Sequence, residues 1–347
     1  MKLIIEIPCL NEEEVLPLTL AALPREVEGF DVVEWLVVDD GSTDGTAQVA
    51  RDWGVDHIVR FNSNKGLAVA FQAGIDAALK LGADVIVNTD ADNQYRADDI
   101  PRLVAPILAQ KADIVVGDRN VQEHEEFSRV KKALQGWGSS VVRRASQTDI
   151  PDVTSGFRAY SREAALRLNV VSRFTYTVET IIQAGRSDLA VAHVPVHTNA
   201  KTRESRLFRS MREYVSRSIG TILRIWVMYE PLPVFLVPAL LIALVGGGLL
   251  ARFTWFYFTE TGPTGHVQSL IVAAALLIFA VQLALLGVIS DLLRSNRVIA
   301  ERTLHRVRKI ELAIGVDADA ITYERIVGSG PTEELVGSGL TQNGHGR

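Results

Sequence analysis

The chain has 347 residues, of which 36 are Lys or Arg and 41 are Asp or Glu, so its formal net charge is −5. This length suits one large domain with added elements better than three independent cores. The acidic balance argues against a dedicated nucleic-acid binder, because such a domain carries an excess of basic residues. Cys9 is the single cysteine, which excludes an intrachain disulfide, and we expect it to be a small buried apolar residue.

Strand-like and helix-like segments alternate over the first 200 residues. The strand-like segments are rich in Val and Ile, and several end in Asp: KLIIEIP, VVEWLVVDD, DHIVRF, ADVIVNTD and ADIVVGDR. The helix-like segments between them cover residues 12–22, 43–53, 66–81 and 97–110, and Ser42 or Thr43 is the predicted cap of the second. The alternation predicts an α/β domain over residues 1–200, with a Rossmann-like, mostly parallel sheet and helices on both faces.

A basic amphipathic segment follows at residues 201–230. Arginines recur through it, while Leu207, Met211, Val215 and Ile222 recur at spacings near three to four. This pattern is typical of helices that lie in a membrane interface. A solvated helix packed on the domain is the alternative.

Two apolar segments, at about residues 232–252 and 267–290, are each long enough to cross a hydrocarbon core about 30 Å thick as a helix. We therefore predict a transmembrane hairpin over residues 231–291, with a pair of buried core helices as the alternative. Arg and Lys crowd both outer flanks of this hairpin, whereas the loop at 251–266 has only Arg252. The positive-inside rule then places the catalytic domain and the C-terminus in the cytoplasm.

The segments around the hairpin also have predicted roles. The aromatic residues at 253–258 would form a belt at the outer membrane interface. Residues 292–347 are predicted to form a cytoplasmic helix followed, from about residue 328, by a Gly-rich disordered tail.

Oxygen-bearing side chains follow the fourth predicted strand at alternate positions. Asp90, Asp92 and Gln94 come directly after the apolar run ADVIV. Alternate residues of an extended segment share a face, so the two carboxylates and the amide can converge on one point. These groups suit a hard divalent cation such as Mg²⁺ or Mn²⁺, although Asp and Asn runs are also ordinary turn formers.

Other predicted strand ends carry groups suited to a nucleotide diphosphate. Asp39 closes the second strand in VVDDGSTDGT, where its carboxylate can accept hydrogen bonds from a base or ribose. A plain turn between strand and helix is an equal alternative for this motif taken alone. Lys65, in NKG, can reach a phosphate. Ligands of parallel sheets bind beyond the carboxyl ends of the strands, which is where these residues fall.

Five motifs resemble, in this order, those of family 2 glycosyltransferases with the GT-A fold: PCLNEEE, VVDDGSTDGT, NKG, DADNQ and DVTSGFRAY. The resemblance covers about the first 210 residues and is greatest to the branch of dolichyl-phosphate mannose synthases and polyprenyl-phosphate glycosyltransferases. One subgroup of that branch also has two membrane spans after the catalytic domain.

The resemblance implies a set of binding residues. The residues expected around the nucleotide are Pro8, Leu10, Glu12, Asp39, Lys65 and Asp90, and those expected to hold the metal are Asp90, Asp92 and Gln94. Cys9 or Leu10 departs from the family, which usually has an aromatic residue there. The Gln-and-Trp signature of processive polysaccharide synthases is missing, which favours a single transfer.

Several arginines are expected to contact phosphate, because a guanidinium group can hold phosphate oxygens bidentately. The predicted contacts are Arg119, Arg129, Arg158 and Arg203, with Arg143 and Arg144 as further candidates for the acceptor. Surface salt pairing is the alternative for Arg119 and Arg203.

Asp152, shortly before SGFR, and the metal-binding Asp92 are the predicted catalytic residues. Many inverting transferases place a general base at the position of Asp152. A phosphate acceptor, however, has a second pKa of about 6 and is largely ionised at neutral pH. We therefore expect Asp152 to orient the site electrostatically as much as it takes a proton, and a helix or turn cap is the alternative.

The activity that the resemblance implies is inverting transfer of a hexose to a polyprenyl or dolichyl phosphate at the cytoplasmic membrane face. The donor would be a nucleotide sugar of the GDP-mannose or UDP-glucose type, the cofactor Mg²⁺ or Mn²⁺, and the further partners the membrane and a second copy of the chain in a homo-oligomer. No nucleic-acid partner is expected. The alternatives are transfer to another lipid or glycan, and a membrane-anchored nucleotide-sugar binder without turnover.

Overall fold

The computed structural model describes residues 1–119, 146, 148–170, 176–187, 189–199, 227, 230–259, 267–314 and 323–325. Some predictions therefore lie outside the described residues. These are almost all of the basic segment 201–230, the tail from residue 328, and the phosphate-contact candidates Arg129, Arg143, Arg144 and Arg203.

The described chain begins with alternating strands and helices and ends with two long helices. The strands are β1 (Lys2–Cys9), β2 (Val32–Asp39), β3 (His57–Arg60), β4 (Val85–Asn88), β5 (Ile114–Asp118), β6 (Arg158–Ser161), β7 (Val191–Pro195) and β8 (Tyr323–Arg325). The helices are α1 (Leu16–Ala22), α2 (Thr46–Asp52), α3 (Leu67–Lys80), α4 (Ile100–Leu108), α5 (Arg162–Arg167), α6 (Thr177–Arg186), α7 (Pro231–Thr259) and α8 (Val267–Ile314).

The strands form one sheet in the order β7-β5-β6-β4-β1-β2-β3-β8. β1 pairs in parallel with β2 and β4, β2 with β3, and β5 with β7. β6 runs antiparallel to both β4 and β5, and β8 is antiparallel to β3. The predicted α/β fold is confirmed, with a sheet that is more mixed than the sequence pattern indicated.

The sheet has a hydrophobic core on each face, because alternate residues of a strand point to opposite sides. In β1, Leu3, Ile5 and Ile7 pack with the apolar faces of α1 and α4, whereas Ile4 packs with Phe71 of α3. Helices thus cover both faces of the sheet, as predicted.

The helices begin later than the sequence pattern suggested. α2 starts at Thr46 with Gly45 as its N-cap residue, and the first backbone N–H groups donate to Asp44 Oδ1 and Glu13 Oε2. The prediction of Ser42 or Thr43 as the cap was wrong because both residues bind Asn11: Asn11 N donates to Ser42 Oγ at 2.9 Å, and Thr43 N donates to Asn11 Oδ1 at 2.8 Å. These bonds join the loops that follow β1 and β2.

The two apolar segments form helices that are long and apolar enough to cross a membrane, with 29 residues in α7 and 48 in α8. Small residues bring the helices together: Gly246 of α7 lies against Leu276 and Leu277, and Gly287 of α8 lies against Phe235. Both helices exceed their predicted bounds, since α7 includes the aromatic residues to Thr259 and α8 continues without a break to Ile314.

Candidate active site

Several chain segments meet at one edge of the sheet. The carboxyl ends of the parallel strands β1, β2 and β4 lie there, and so does that of β5. Because β6 is antiparallel to β4, the loop before Arg158 reaches the same edge, where Arg158 pairs with Asn88. The motifs after these strands, far apart in the sequence, are therefore brought together.

The predicted metal ligands lie on a well-fixed turn after β4. Gln94 N donates to Asp92 Oδ1 at 3.1 Å, and Asn93 adopts a positive φ of 56°. Asn199 fixes this turn, because its Nδ2 donates to Asn93 O at 2.9 Å and its backbone N donates to Gln94 O at 2.8 Å. The turn is thus held from both sides.

Asp90 faces inward beside the loop that precedes β6. A Cβ placed on Gly156 would lie 3.0 Å from Asp90 Oδ1 and 2.9 Å from Tyr176 Oη, so glycine is what lets this loop approach. Burial, and then the charge of Asp92, raise the pKa of Asp90 to about 7, against the opposing effect of Arg119. The carboxylates of Asp90 and Asp92 thus repel each other, and both side chains are half-buried.

This donor set fits a hard divalent cation, because a cation would relieve the repulsion between Asp90 and Asp92. Within the described ranges no three His, Cys, Asp or Glu side chains cluster for metal binding. The remaining ligands would therefore be the amide oxygen of Gln94, water and substrate oxygens, as Mg²⁺ and Mn²⁺ accept.

Asp152 forms a two-pronged ion pair with Arg119. Arg119 Nε donates to Oδ2 at 2.7 Å and Nη2 donates to Oδ1 at 3.0 Å, while Thr154 Oγ1 donates to Oδ1 at 2.9 Å. Burial acts to raise the pKa of Asp152, but the hydrogen bonds and charge of Arg119 outweigh it and hold that pKa below its ordinary value. Such a carboxylate stays ionised and is a weak base.

Two of the predicted phosphate contacts are described, and each is already engaged. Arg119 binds Asp152 and also donates to Thr154 Oγ1 at 3.0 Å. Arg158 is fully buried, and its guanidinium donates to Val153 O, Ser155 O, Thr177 O and Thr180 Oγ1 at 2.6 to 2.8 Å. The structure therefore corrects the expectation for Arg158, which braces the loop from inside and is closed off from a substrate phosphate.

The predicted nucleotide-binding end of the site contains the adjacent pair Asp39 and Asp40. Asp39 is fully buried, accepts a hydrogen bond from Ser42 N at 2.8 Å and lies 3.1 Å from Arg60 Nε. Asp40 accepts from Lys65 N at 2.7 Å and from Gly66 N at 2.9 Å. Asp40 thereby fixes the turn that carries Lys65, whose side chain is exposed.

The PCLNEEE motif lies beside this pair. Pro8 is buried in β1 opposite Val38, and Leu10 is half-buried just beyond the strand. Glu12 is buried, and its backbone N donates to Thr46 Oγ1 at 2.8 Å. The structure thus brings the described nucleotide and metal candidates to one edge of the sheet.

Sequence reasoning missed several residues that shape the site. Asn88 Nδ2 donates to Gly156 O at 2.7 Å and to Tyr176 Oη at 2.8 Å, and Gly156 N donates to Tyr95 Oη at 3.1 Å. An amide at the end of the otherwise apolar strand VIVN was a usable signal for Asn88. Tyr95 and Tyr176 carried no such signal, because an aromatic residue in a helix or turn usually belongs to the core.

Solved structures share this fold. The structure of glucosyl-3-phosphoglycerate synthase from Mycobacterium tuberculosis, in complex with Mn²⁺, uridine-diphosphate and glucosyl-3-phosphoglycerate, superposes with a TM-score of 0.51 at 20% sequence identity. The match covers 65% of this chain and 78% of that one.

Curated relatives match the N-terminal part of the chain. An undecaprenyl-phosphate mannosyltransferase of Micrococcus luteus is 32% identical over 207 residues, which are 56% of this chain and 83% of the relative. A polyprenol monophosphomannose synthase of Mycolicibacterium smegmatis is 29% identical over 201 residues, 55% of this chain and 74% of the relative.

The fold is that of a glycosyltransferase with GT-A-like architecture. The model of the family described as "Glycosyl transferase family 2" matches residues 4–168 of this chain. Together with the Micrococcus relative, this match shows that the chain belongs to glycosyl transferase family 2.

Proposed function

We propose that this enzyme transfers a hexose, with inversion, from a nucleotide sugar to a polyprenyl phosphate at the cytoplasmic face of a membrane. The observation that carries the proposal is the occurrence, in one chain, of the acidic strand-end site and of two helices long and apolar enough to span a membrane. The relatives named as undecaprenyl-phosphate and polyprenol mannosyltransferases support a lipid phosphate as acceptor.

The donor would bind across the ends of β1, β2 and β4. Asp39, buried beside Ser42 N, would accept hydrogen bonds from the base or ribose once Arg60 moves aside. Lys65 would approach the diphosphate from the turn that Asp40 fixes. Asp90, Asp92 and Gln94 would hold Mg²⁺ or Mn²⁺, which would neutralise charge developing on the leaving nucleotide.

The acceptor would act as its own nucleophile. A phosphate monoester is largely ionised at neutral pH, so one of its oxygens can attack the anomeric carbon while the nucleoside diphosphate leaves. The surroundings of Asp152 support a reaction without a protein general base, because Arg119 lowers the pKa of Asp152 and binds both of its oxygens. Its role would be to hold Arg119 and the loop in position.

The membrane part would bring the lipid to this site. α7 and α8 would anchor the domain with its catalytic edge toward the cytoplasmic headgroups, and the basic segment 201–230 would lie in the interface. The acceptor could then stay in the bilayer while the soluble donor arrives from the cytoplasm.

The test is turnover with defined substrates. Purified full-length protein in detergent would be given Mn²⁺ and radiolabelled GDP-mannose, UDP-glucose or UDP-N-acetylglucosamine, with undecaprenyl phosphate as acceptor or, in parallel, a soluble glycan. Labelled product in the organic phase with one donor, lost in Asp92→Asn, supports the proposal. Nucleotide binding without lipid product from any donor would contradict it, and product with a glycan acceptor alone would indicate the other acceptor class.

A further inference from the structure

Three ion pairs of Arg or Lys join the part of α8 beyond the predicted membrane span to the catalytic domain. Arg297 Nη2 is 2.8 Å from Glu179 of α6, Arg308 Nη2 is 3.0 Å from Asp76 of α3, and Lys309 Nζ is 3.1 Å from Glu163 of α5. The helix that would span the membrane therefore continues, without a break, onto the enzyme domain.

The pair between Arg297 and Glu179 is the most enclosed of the three. The side chain of Glu179 is 5% exposed and that of Arg297 is 22% exposed. Arg297 also binds Glu301 one turn further along α8, through Nε at 2.8 Å. Removing one partner of such a pair leaves a buried charge without compensation, which costs far more than loss of an exposed pair.

Hydrogen bonds of Arg158 connect α6 to the loop that carries Asp152. Arg158 Nη1 donates to Thr177 O and to Thr180 Oγ1, both at 2.7 Å, on the turn of α6 that contains Glu179. The other nitrogens of Arg158 donate to Val153 O at 2.6 Å and Ser155 O at 2.8 Å. One buried guanidinium thus joins α6 to the residues that directly follow Asp152.

The start of α6 contacts the metal side of the same edge. Tyr176 Oη accepts a hydrogen bond from Asn88 Nδ2 at 2.8 Å and donates to Gly156 O at 3.4 Å. A displacement of α6 would therefore move both Gly156, against which Asp90 lies, and the Asp152 loop. The contacts are continuous from α8 to both sides of the site.

We propose that Arg297 is a positioning residue, through which the membrane-anchored helix α8 sets the geometry of the Asp152 loop by way of Glu179, α6 and Arg158. The inference rests on the proposed lipid-linked reaction. Because α8 is continuous, the helix that would anchor the domain in the bilayer would also order the loop that would face the lipid phosphate. Small displacements there are costly, because misplacement by about 1 Å can lower a rate about 100-fold.

The experiment compares Arg297→Gln with Arg308→Gln in the full-length protein. Arg308 is a matched control, since it also joins α8 to the domain and is 12% exposed, but it contacts α3 and Leu168 O rather than α6. With the donor that the wild type uses and undecaprenyl phosphate, we expect Arg297→Gln to lower kcat about tenfold or more, with the Kd for the nucleoside diphosphate within about twofold. Arg308→Gln should leave kcat within about twofold, and Arg297→Lys should recover most of the loss.

A second measurement reports on the loop itself. Hydrogen–deuterium exchange of the amides at 153–158 should rise in Arg297→Gln and in the isosteric Glu179→Gln, and stay at the wild-type rate in Arg308→Gln. The combination of Glu179→Gln with Arg297→Gln should be no worse than either alone, because the two residues act as one pair.

The outcomes separate this inference from the proposed function. An unchanged kcat in Arg297→Gln, or an equal loss in Arg308→Gln, would overturn the inference while leaving the transferase activity in place. If the wild type turned over no donor, the proposed function would fail, and the exchange rates would still decide whether α8 orders the loop. Unchanged exchange in both Arg297→Gln and Glu179→Gln would then refute the inference.

Discussion

Asp152 is the residue at which burial and ion pairing oppose each other most directly. Burial acts against its charge, yet Arg119 binds both of its oxygens and keeps the pKa low. A neutral amide at this position could accept only one of these bonds and would remove the carboxylate that pairs with Arg119. The carboxylate therefore matters even if it never takes a proton.

Replacement of Asp152 by Asn is expected to lower kcat about 100-fold or more and to leave the nucleotide Kd within about twofold. The physical reason is displacement of Arg119 and of the loop after Asp152. Steady-state kinetics combined with calorimetric nucleotide titration would measure both effects. Thr154→Val is the control, since it removes the hydrogen bonds of Thr154 Oγ1 with Asp152 and Arg119 and keeps the carboxylate. Full activity in the Asn variant would refute a required charge.

Replacement of Asp92 by Asn is expected to abolish the Mn²⁺-dependent part of nucleotide binding, because it removes one of the two carboxylates of the predicted metal site. Calorimetric titration of nucleoside diphosphate, with and without Mn²⁺, would detect the loss. Asp98→Asn is the control: this carboxylate is 79% exposed and pairs with Arg96. If nucleotide binding depended on Mn²⁺ equally in the Asp92 variant and in the wild type, Asp92 would not be a metal ligand.

Glu6 is a fully buried carboxyl in the middle of β1, and neither of its side-chain oxygens has a hydrogen-bond partner among the described residues. Burial, and then the charge of Asp76, raise its pKa well above the ordinary 4.5. A raised pKa means that the folded state binds the proton more tightly than the unfolded state. Glu6 therefore stabilises the fold fully below pH 4.5, and this contribution is lost as the pH rises toward its folded pKa.

Glu6→Gln should remove this pH dependence. The stability of the wild type relative to the variant is expected to fall by up to about 1.4 kcal/mol per pH unit as the pH rises from 4.5. Thermal unfolding in detergent from about pH 5 to pH 8 would measure the difference. Parallel stability profiles for the two proteins would show that Glu6 is ionised in the folded state.

At the scale of elements, the packing of α3 on β1 depends on one glycine. A Cβ at Gly74 would lie 2.1 Å from Glu6 Oε1 and 2.4 Å from its carboxyl carbon. Alanine usually stabilises a helix by about 1 kcal/mol over glycine. At Gly74 the added methyl group would instead clash with the side chain of Glu6, which is fully buried.

Gly74→Ala is therefore expected to destabilise the protein by about 1–3 kcal/mol, despite the higher helix propensity of alanine. Denaturant or thermal unfolding would measure the loss. In a background of Glu6→Ala the same substitution should cost much less, because the two side chains then no longer compete for one space. A stabilised Gly74→Ala protein would mean that Glu6 can move out of the way.

At the scale of the whole molecule, the prediction concerns the orientation of α7 and α8. Their length and composition permit a membrane crossing, and the charge pattern around them predicts that the catalytic domain and the C-terminus share the cytoplasmic side. The single native cysteine is buried, which makes the chain well suited to labelling experiments. The homo-oligomer stays a prediction.

Cysteine labelling should reveal this orientation. Thr259→Cys, at the end of α7, is expected to react with a membrane-impermeant maleimide on intact cells, and Arg302→Cys, on the exposed face of α8, only after lysis. The wild type serves as the background, because Cys9 is closed off from reagent. The reverse pattern would mean that the hairpin has the opposite orientation in the membrane. Labelling of both variants on intact cells would contradict a hairpin.

The sequence by itself determined the α/β class, the two apolar helices, and the positions of the acidic residues at the ends of β2 and β4, because these depend on local periodicity and on where strands end. It did not determine which polar groups bind one another. Arg158 was expected at a substrate phosphate, and only the antiparallel placement of β6 turned it inward onto α6.

Tertiary structure alone decided the partners that lie far apart in sequence. The contact between Arg297 and Glu179 joins residues 118 positions apart, and Asn199 reaches Asn93 across 106. Such pairs leave no periodic trace, because they depend on how complete elements pack. The positions of the polar strand ends could thus be predicted from the chain, whereas the contacts between α8 and the catalytic domain required the fold.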